Sequence, residues 1–202
     1  LSATVAPPPL TPLGSAGLPD RPPPALDRAL DAAERCFTRH GVRRTTMSDI
    51  AREMGVSRPT LYKQVGSLEE ALALVLARQL YAFLDELAAV LAGDPGPQTF
   101  VAMAVRAVRF AESDPLSQRV LEHEPALLGA MVTSGQLAGY LDQVAELIAP
   151  VVADAMASGA IRRGDPRHVV EVISRLCATC MVAPPRALER FLSDALLPLL
   201  SP

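Results

Sequence analysis

Residues 45–72 read TTMSDIAREMGVSRPTLYKQVGSLEEAL, and their spacing leaves room for little besides two short helices meeting at a tight turn. Thr46, followed three residues later by Asp49, has the spacing of a capping box and starts a helix of about two turns that carries Ile50, Ala51 and Met54. Gly55 supplies the positive backbone dihedral a turn needs, Ala51 is small where two helices must cross, and Val56 fills the angle between them. Ser57 can cap the second helix. Pro59 is tolerated in its first turn, where amides lack intrahelical acceptors, and Leu61 and Val65 then face inward. Arg58, Thr60, Tyr62, Lys63 and Gln64 are left on the outer face. Hydroxyls and Lys63 suit phosphates, and Arg58 or Gln64 suits base edges, so this face has the chemistry of a major-groove reader. The competing reading is a helical hairpin whose polar face is merely solvated; the helix–turn–helix layout favours groove docking.

The rest of the chain reads as helix. Half the residues are hydrophobic but only 4% are aromatic and none is Trp, so the apolar mass is Ala, Leu and Val. Residues 1–24 hold eight prolines and form a tail outside any packed core, either inert or an arm on DNA, with Arg21 its only base. Helical spacing begins at Ala25 and runs to about residue 40, where Gly41 ends it. Ser67 and Glu70 repeat the capping-box spacing and open a long helix over 68–92. Further helices are expected at 98–113, 115–122, 125–132, 136–158, 166–182 and 185–199, bounded by Pro115, Pro125, Gly135, Gly159, Pro166 and Pro184–Pro185. The expected fold is all-α: a Pro-rich tail (1–24), a helix-turn-helix domain (25–67) and a helical body (68–202).

Charge divides the same way. Eight bases against five acids between residues 25 and 66 leave +3 there and −6 elsewhere, a mildly basic module on an acidic body. Cys36, Cys177 and Cys180 are too few for a secreted disulfide framework, which points to a reducing cytoplasm. The most apolar stretch, 99–111, is broken by Arg106 and Arg109 and is too short to span a bilayer, so no membrane partner is expected.

The run from Leu26 to Leu72 resembles the N-terminal domain of the TetR family of transcriptional regulators. The matching features are a helix ending in Gly41, T-T-x-x-D-I-A at Thr45 to Ala51, G-V-S at Gly55 to Ser57, and T-L-Y at Thr60 to Tyr62. The resemblance implies that Thr46 and Tyr62 contact phosphates and that Arg58, Pro59, Thr60, Lys63 and Gln64 lie along the groove. Val65–Gly66 stands where an aromatic and a proline are usual, and Leu68 where a phosphate-binding Lys is common. The resemblance also implies a C-terminal domain that dimerises and encloses a ligand pocket.

The body's own residues allow both. Helices 166–182 and 185–199 each carry a wide apolar stripe, more than one small domain needs, and a four-helix bundle with a second copy would use the excess. Helix 98–113 is apolar nearly all round, which marks it as central. Phe83, Met103, Phe110, Met131 and Tyr140 are candidates for an apolar pocket, against an ordinary core as the alternative. Arg106, within an apolar helix, needs a carboxylate partner, a ligand anion or an exit to solvent. Cys177 and Cys180 have redox or metal spacing but sit in an apolar helical stripe, and His123 between Glu122 and Glu124 lies at a helix end. The expected function is a homodimeric repressor that binds a palindromic double-stranded operator and is released by a small apolar ligand, with no cofactor. The alternative is a thiol or metal enzyme using Cys177 and Cys180; no Ser-His-Asp order, Gly-rich phosphate loop or HExxH pattern supports catalysis.

Overall fold

The computed structural model describes residues 20–202, which form ten α-helices and no strand. The helices are α1 (Asp27–His40), α2 (Met47–Met54), α3 (Arg58–Val65), α4 (Leu68–Gly93), α5 (Pro97–Ser113), α6 (Pro115–His123), α7 (Pro125–Thr133), α8 (Gln136–Ala157), α9 (Pro166–Val182) and α10 (Leu188–Leu200). Single turns of 3-10 helix at Pro24–Leu26 and Val42–Arg44 bracket α1. Most boundaries fall where the chain offers a side-chain cap or a proline in the first turn. Thr46 and Ser67 form reciprocal capping boxes with Asp49 and Glu70, and Asp114 and Asp165 cap α6 and α9. The last helix starts at Leu188, not at 185, because Pro184–Pro185 lie in irregular chain that bends at 186–187 before the helix begins.

Two apolar cores share one helix. The first gathers Leu30, Phe37, Ile50, Leu61 and Val65 with the opening turns of α4 (Ala71, Leu72, Val75) and Leu116 of α6. The second gathers the far turns of α4 (Leu87, Leu91) with Phe100, Val108, Val152, Val170, Leu192 and Leu196. Helix α5 contacts α4, α6, α9 and α10, which makes it central. It is not apolar all round: Ala102, Arg106, Arg109 and Phe110 face solvent.

The stripes of α9 and α10 are largely used within the chain, where α9 packs on α8 and α5, and α10 on α5. Val169, Val170, Cys177 and Cys180 of α9 and Leu188, Leu192, Leu196 and Leu200 of α10 are buried. Ile173, Leu176, Met181, Leu197 and Leu199 remain only partly covered, and Val182 and Phe191 are exposed. Of the proline-rich stretch, residues 1–19 lie outside the described residues. Arg21 is turned onto α4, in a two-pronged ion pair with Asp85 at 2.7 Å and 4.9 Å over the Tyr81 ring.

The end of α1 holds a backbone position that only glycine can fill. Gly41 has φ 86° and ψ 153°, a region open essentially to glycine alone, and a Cβ there would stand 2.7 Å from Glu124 Oε1. Gly55, at φ 73° and ψ 34°, has open space around it. Gly41→Ala is therefore expected to lower stability by at least ~3 kcal/mol, since it adds a clash with a hydrogen-bonded carboxylate to the dihedral cost. Gly55→Ala should cost only ~1 kcal/mol. Urea denaturation of the two variants checks this, and equal losses would contradict it.

Candidate functional site

The α2–turn–α3 unit is held by local hydrogen bonds. Thr46 Oγ1 accepts from the Asp49 amide at 3.2 Å, and the Asp49 carboxylate accepts from the Thr46 amide at 3.0 Å and the Thr46 hydroxyl at 2.6 Å. Those bonds from Thr46, reinforced by Arg52, hold the Asp49 carboxyl below its ordinary range. At the turn Gly55 is left-handed and the Val56 amide donates back to the Ala51 carbonyl at 2.9 Å. Ser57 Oγ accepts from the Thr60 amide at 3.3 Å, and Leu61 and Val65 anchor α3 in the first core.

The opposite side of α3 is exposed at every position named from the sequence: Arg58, Pro59, Thr60, Tyr62, Lys63 and Gln64. The Arg58 guanidinium lies 6.0 Å over the Tyr62 ring, at the outer limit of a cation–π contact. Neighbouring bases are committed elsewhere. Arg35 and Arg39 pair with Glu53, and Arg52 with Asp49. Arg58 and Lys63 have no carboxylate partner among the described residues. Arg43 and Arg44, which the sequence reading did not single out, add two exposed bases immediately before Thr45–Thr46. Their position next to the T-T pattern was the available signal.

The unusual Val65–Gly66 pair has its own solution. Val65 is buried, and Gly66 at φ 69° lets the Glu70 carboxylate fold over it, accepting from the Ser67 amide at 2.6 Å. A Cβ at Gly66 would collide with that carboxylate. Leu68 packs against the first core.

Glu124, which the sequence reading named only as a neighbour of His123, ties this unit to the body. Glu124, between α6 and α7, is only 8% exposed, and its carboxylate accepts from the amides of Val42 at 2.6 Å and Arg43 at 3.2 Å. It satisfies free amides at the start of the 3-10 turn that leads into α2. Arg78 of α4 makes a parallel tie, reaching Asp31 and Glu34 of α1 at 2.7 Å each, while Gln79 bonds Glu34 at 2.7 Å.

Between α4, α5, α8 and α9 lies an apolar cavity of about 250 Å³, lined in part by Phe83, Phe100, Met103, Tyr140, Ile173 and Cys177. Three candidates from the sequence, Phe83, Met103 and Tyr140, thus meet in one wall. Arg106, Phe110 and Met131 do not. Arg106 and Phe110 line a second, more open cleft with Asp27, Asp31 and Arg78, to which Phe83 also contributes, and Arg106 is ion-paired there with Glu86. Phe110 is 44% exposed, and Met131, on α7, is partly buried away from the wall. Burial pushes the Tyr140 hydroxyl up to about 12.

The cysteines are free and buried, and the Cys177 thiol, which donates to the Ala104 carbonyl at 3.7 Å, is pushed by burial up to about 12. His123 is exposed, 3.8 Å from Glu122, and the described residues contain no group of three or more side chains able to hold a metal. No helix among them is long and apolar enough to cross a membrane.

Residues 29–70 match the model of the bacterial regulatory proteins of the tetR family. A helix-turn-helix-type transcriptional regulator of Mycobacterium bovis is 30% identical over 146 residues, 72% of this chain and 74% of the relative. The chain belongs to the TetR family. Solved members share its fold: the repressor AlkX from Dietzia sp., implicated in n-alkane biodegradation, at TM-score 0.63 and 22% identity (85% of this chain, 93% of AlkX), and the R. erythropolis repressor QsdR at TM-score 0.63 and 24% identity (88% and 96%). This TetR-family chain is accordingly a DNA-binding transcriptional regulator rather than a thiol or metal enzyme. Its thiolates should be scarce. A thiol reagent at pH 8 is expected to leave Cys36, Cys177 and Cys180 unlabelled in the native protein and to label all three after denaturation; rapid native labelling would contradict their buried setting.

Proposed function

We propose that this regulator is a cytoplasmic repressor that binds a palindromic operator as a homodimer and leaves it when a small apolar molecule fills the cavity between α4, α5, α8 and α9. The observation that carries the reading is that α4 joins the two ends of the mechanism. Its opening turns pack in the same core as α3, and its Phe83 and Leu87 line the cavity. Partly covered side chains on α9 and α10, with exposed Val182 and Phe191, support pairing through those helices. The named function of AlkX, a repressor implicated in n-alkane breakdown, is compatible with an apolar effector.

On DNA, α3 enters the major groove. Lys63, Tyr62 and Thr46 take phosphates, and Arg58 and Gln64, flanked by Pro59 and Thr60, take base edges. Lys63→Ala should weaken binding to all sequences and flatten the salt dependence by about one unit, whereas Gln64→Ala should relax preference at one base position. Titration of operator duplex by fluorescence anisotropy reads both, with saturation at two chains per half-site pair. Equal loss of specific and non-specific binding in the two variants would refute the assignment.

To weaken DNA binding about a hundredfold, the ligand must prefer the DNA-incompetent state by roughly 2.7 kcal/mol. Ala107 lines the cavity without being tightly enclosed, so a larger side chain there has space to grow into it. Ala107→Leu is expected to abolish the ligand response while leaving DNA affinity within about twofold. The check is DNA affinity of both proteins across a panel of apolar compounds; a wild type whose affinity none of them changes would sink the ligand reading.

A further inference from the structure

The cavity wall is chemically one-sided. Among the residues that line it there is no Asp, Glu, Lys, Arg or His. The one cation that the sequence placed near it, Arg106, faces outward and is held by Glu86. Two of the polar groups in the wall are engaged within the protein: Ser174 Oγ donates to the Glu171 carbonyl at 3.2 Å, and the Cys177 thiol donates to the Ala104 carbonyl. The Tyr140 hydroxyl has no hydrogen-bond partner among the described residues. Tyr140 belongs to the first turns of α8 and lines the cavity together with Phe83 and Met103.

Building on the ligand reading above, we infer that the cavity selects an uncharged aliphatic molecule of about eight heavy atoms carrying a single oxygen, and that Tyr140 is the residue that recognises that oxygen. The size follows from a volume of about 250 Å³ at roughly 30 Å³ per water-sized group. Neutrality follows from the wall. A carboxylate or ammonium among those side chains would give up hydration with no opposite charge in the wall to meet it. The oxygen follows from Tyr140. A phenol with no partner in the protein gains from either role, donating to a carbonyl or ether oxygen or exchanging bonds with an alcohol. A pure hydrocarbon would fill the same space and leave that hydroxyl unpaired.

Isothermal titration calorimetry on the full chain at pH 7.5, with hexane, 1-hexanol, hexanoate and hexylammonium as probes, tests the inference. The expected result is that 1-hexanol binds at least about tenfold more tightly than either ion. Tyr140→Phe, checked for unchanged helicity and operator binding, should weaken 1-hexanol about threefold to tenfold and leave hexane within twofold. Hexanoate or hexylammonium binding as tightly as 1-hexanol would overturn neutrality. Equal changes for hexane and 1-hexanol in Tyr140→Phe, or no change in either, would overturn the role of Tyr140, and in these cases the cavity would still be a ligand site. If neither hexane nor 1-hexanol bound the wild type, the ligand-cavity reading itself would fall, and this inference with it.

Discussion

A helix of 26 residues is about 39 Å long, and α4 spends its two ends in different cores. Ala71, Leu72 and Val75 sit among the residues that anchor α3, while Leu87 and Leu91 sit among those that surround the cavity. An α-helix bends only at some cost to its hydrogen bonds, and neither end can slide without breaking close packing. The chain therefore has few soft ways to move. Any rearrangement of the cavity wall that involves Phe83 or Leu87 has to be met by a tilt of α4 or by a loss of contacts at its far end. That constraint makes the two halves one mechanical object.

Two polar ties set how the tilt would be delivered. Glu124 is the stiffer, because its carboxylate is buried and accepts two backbone amides; breaking that arrangement strands donors inside the protein at about 1–3 kcal/mol each. The Arg78 cluster is more exposed, with Asp31 about half open to solvent, and its ion pairs are correspondingly screened and weak. The DNA-reading unit thus hangs from α6 and α7 by a strong short tie and from α4 by apolar packing with a softer electrostatic seam. Since α7 runs directly into α8, which lines the cavity with Tyr140 and Leu141, the strong tie and the helix lever start from the same wall.

The fold was legible wherever its cause was local. Capping boxes at Thr46 and Ser67, the left-handed Gly55 and the inward Leu61 and Val65 all depend on residues within four positions of each other, and each stands where the spacing placed it. What spacing did not disclose was long-range partnership. Glu124 binds amides more than eighty residues away, and nothing in Glu-His-Glu at 122–124 announces it. The pocket shows the same limit. Met103 and Phe110 are seven residues apart and share a stripe only if the wall runs straight along α5, but the wall passes through Met103, Ala104 and Ala107 and leaves Arg106 and Phe110 on the outer side. Apolar composition alone could not fix that phase. Nor could it show that α9 and α10 bury their main stripes against α8 and α5, since an apolar face does not name its partner.

The distribution of charge near α3 carries a consequence for how the protein meets DNA. Arg35, Arg39 and Arg52 are balanced by Glu53 and Asp49 on the same domain, so the bases left without carboxylate partners there include Arg58 and Lys63 on α3 and Arg43 ahead of α2. The start of α4, where Leu68 is packed inward and Glu69 and Glu70 follow, brings negative charge instead of a cation. Few phosphates can then be neutralised per chain, and the counterion release that drives non-specific binding is small. With an acidic body behind it, the domain gains little from sliding on arbitrary sequence. On the homodimeric reading proposed above, residence at a site comes from the geometry of α3 in the groove and from two chains engaging two half-sites together. On that same reading release is easy: when the relative placement of two α3 helices changes, little sequence-independent attraction is left to hold the protein in place.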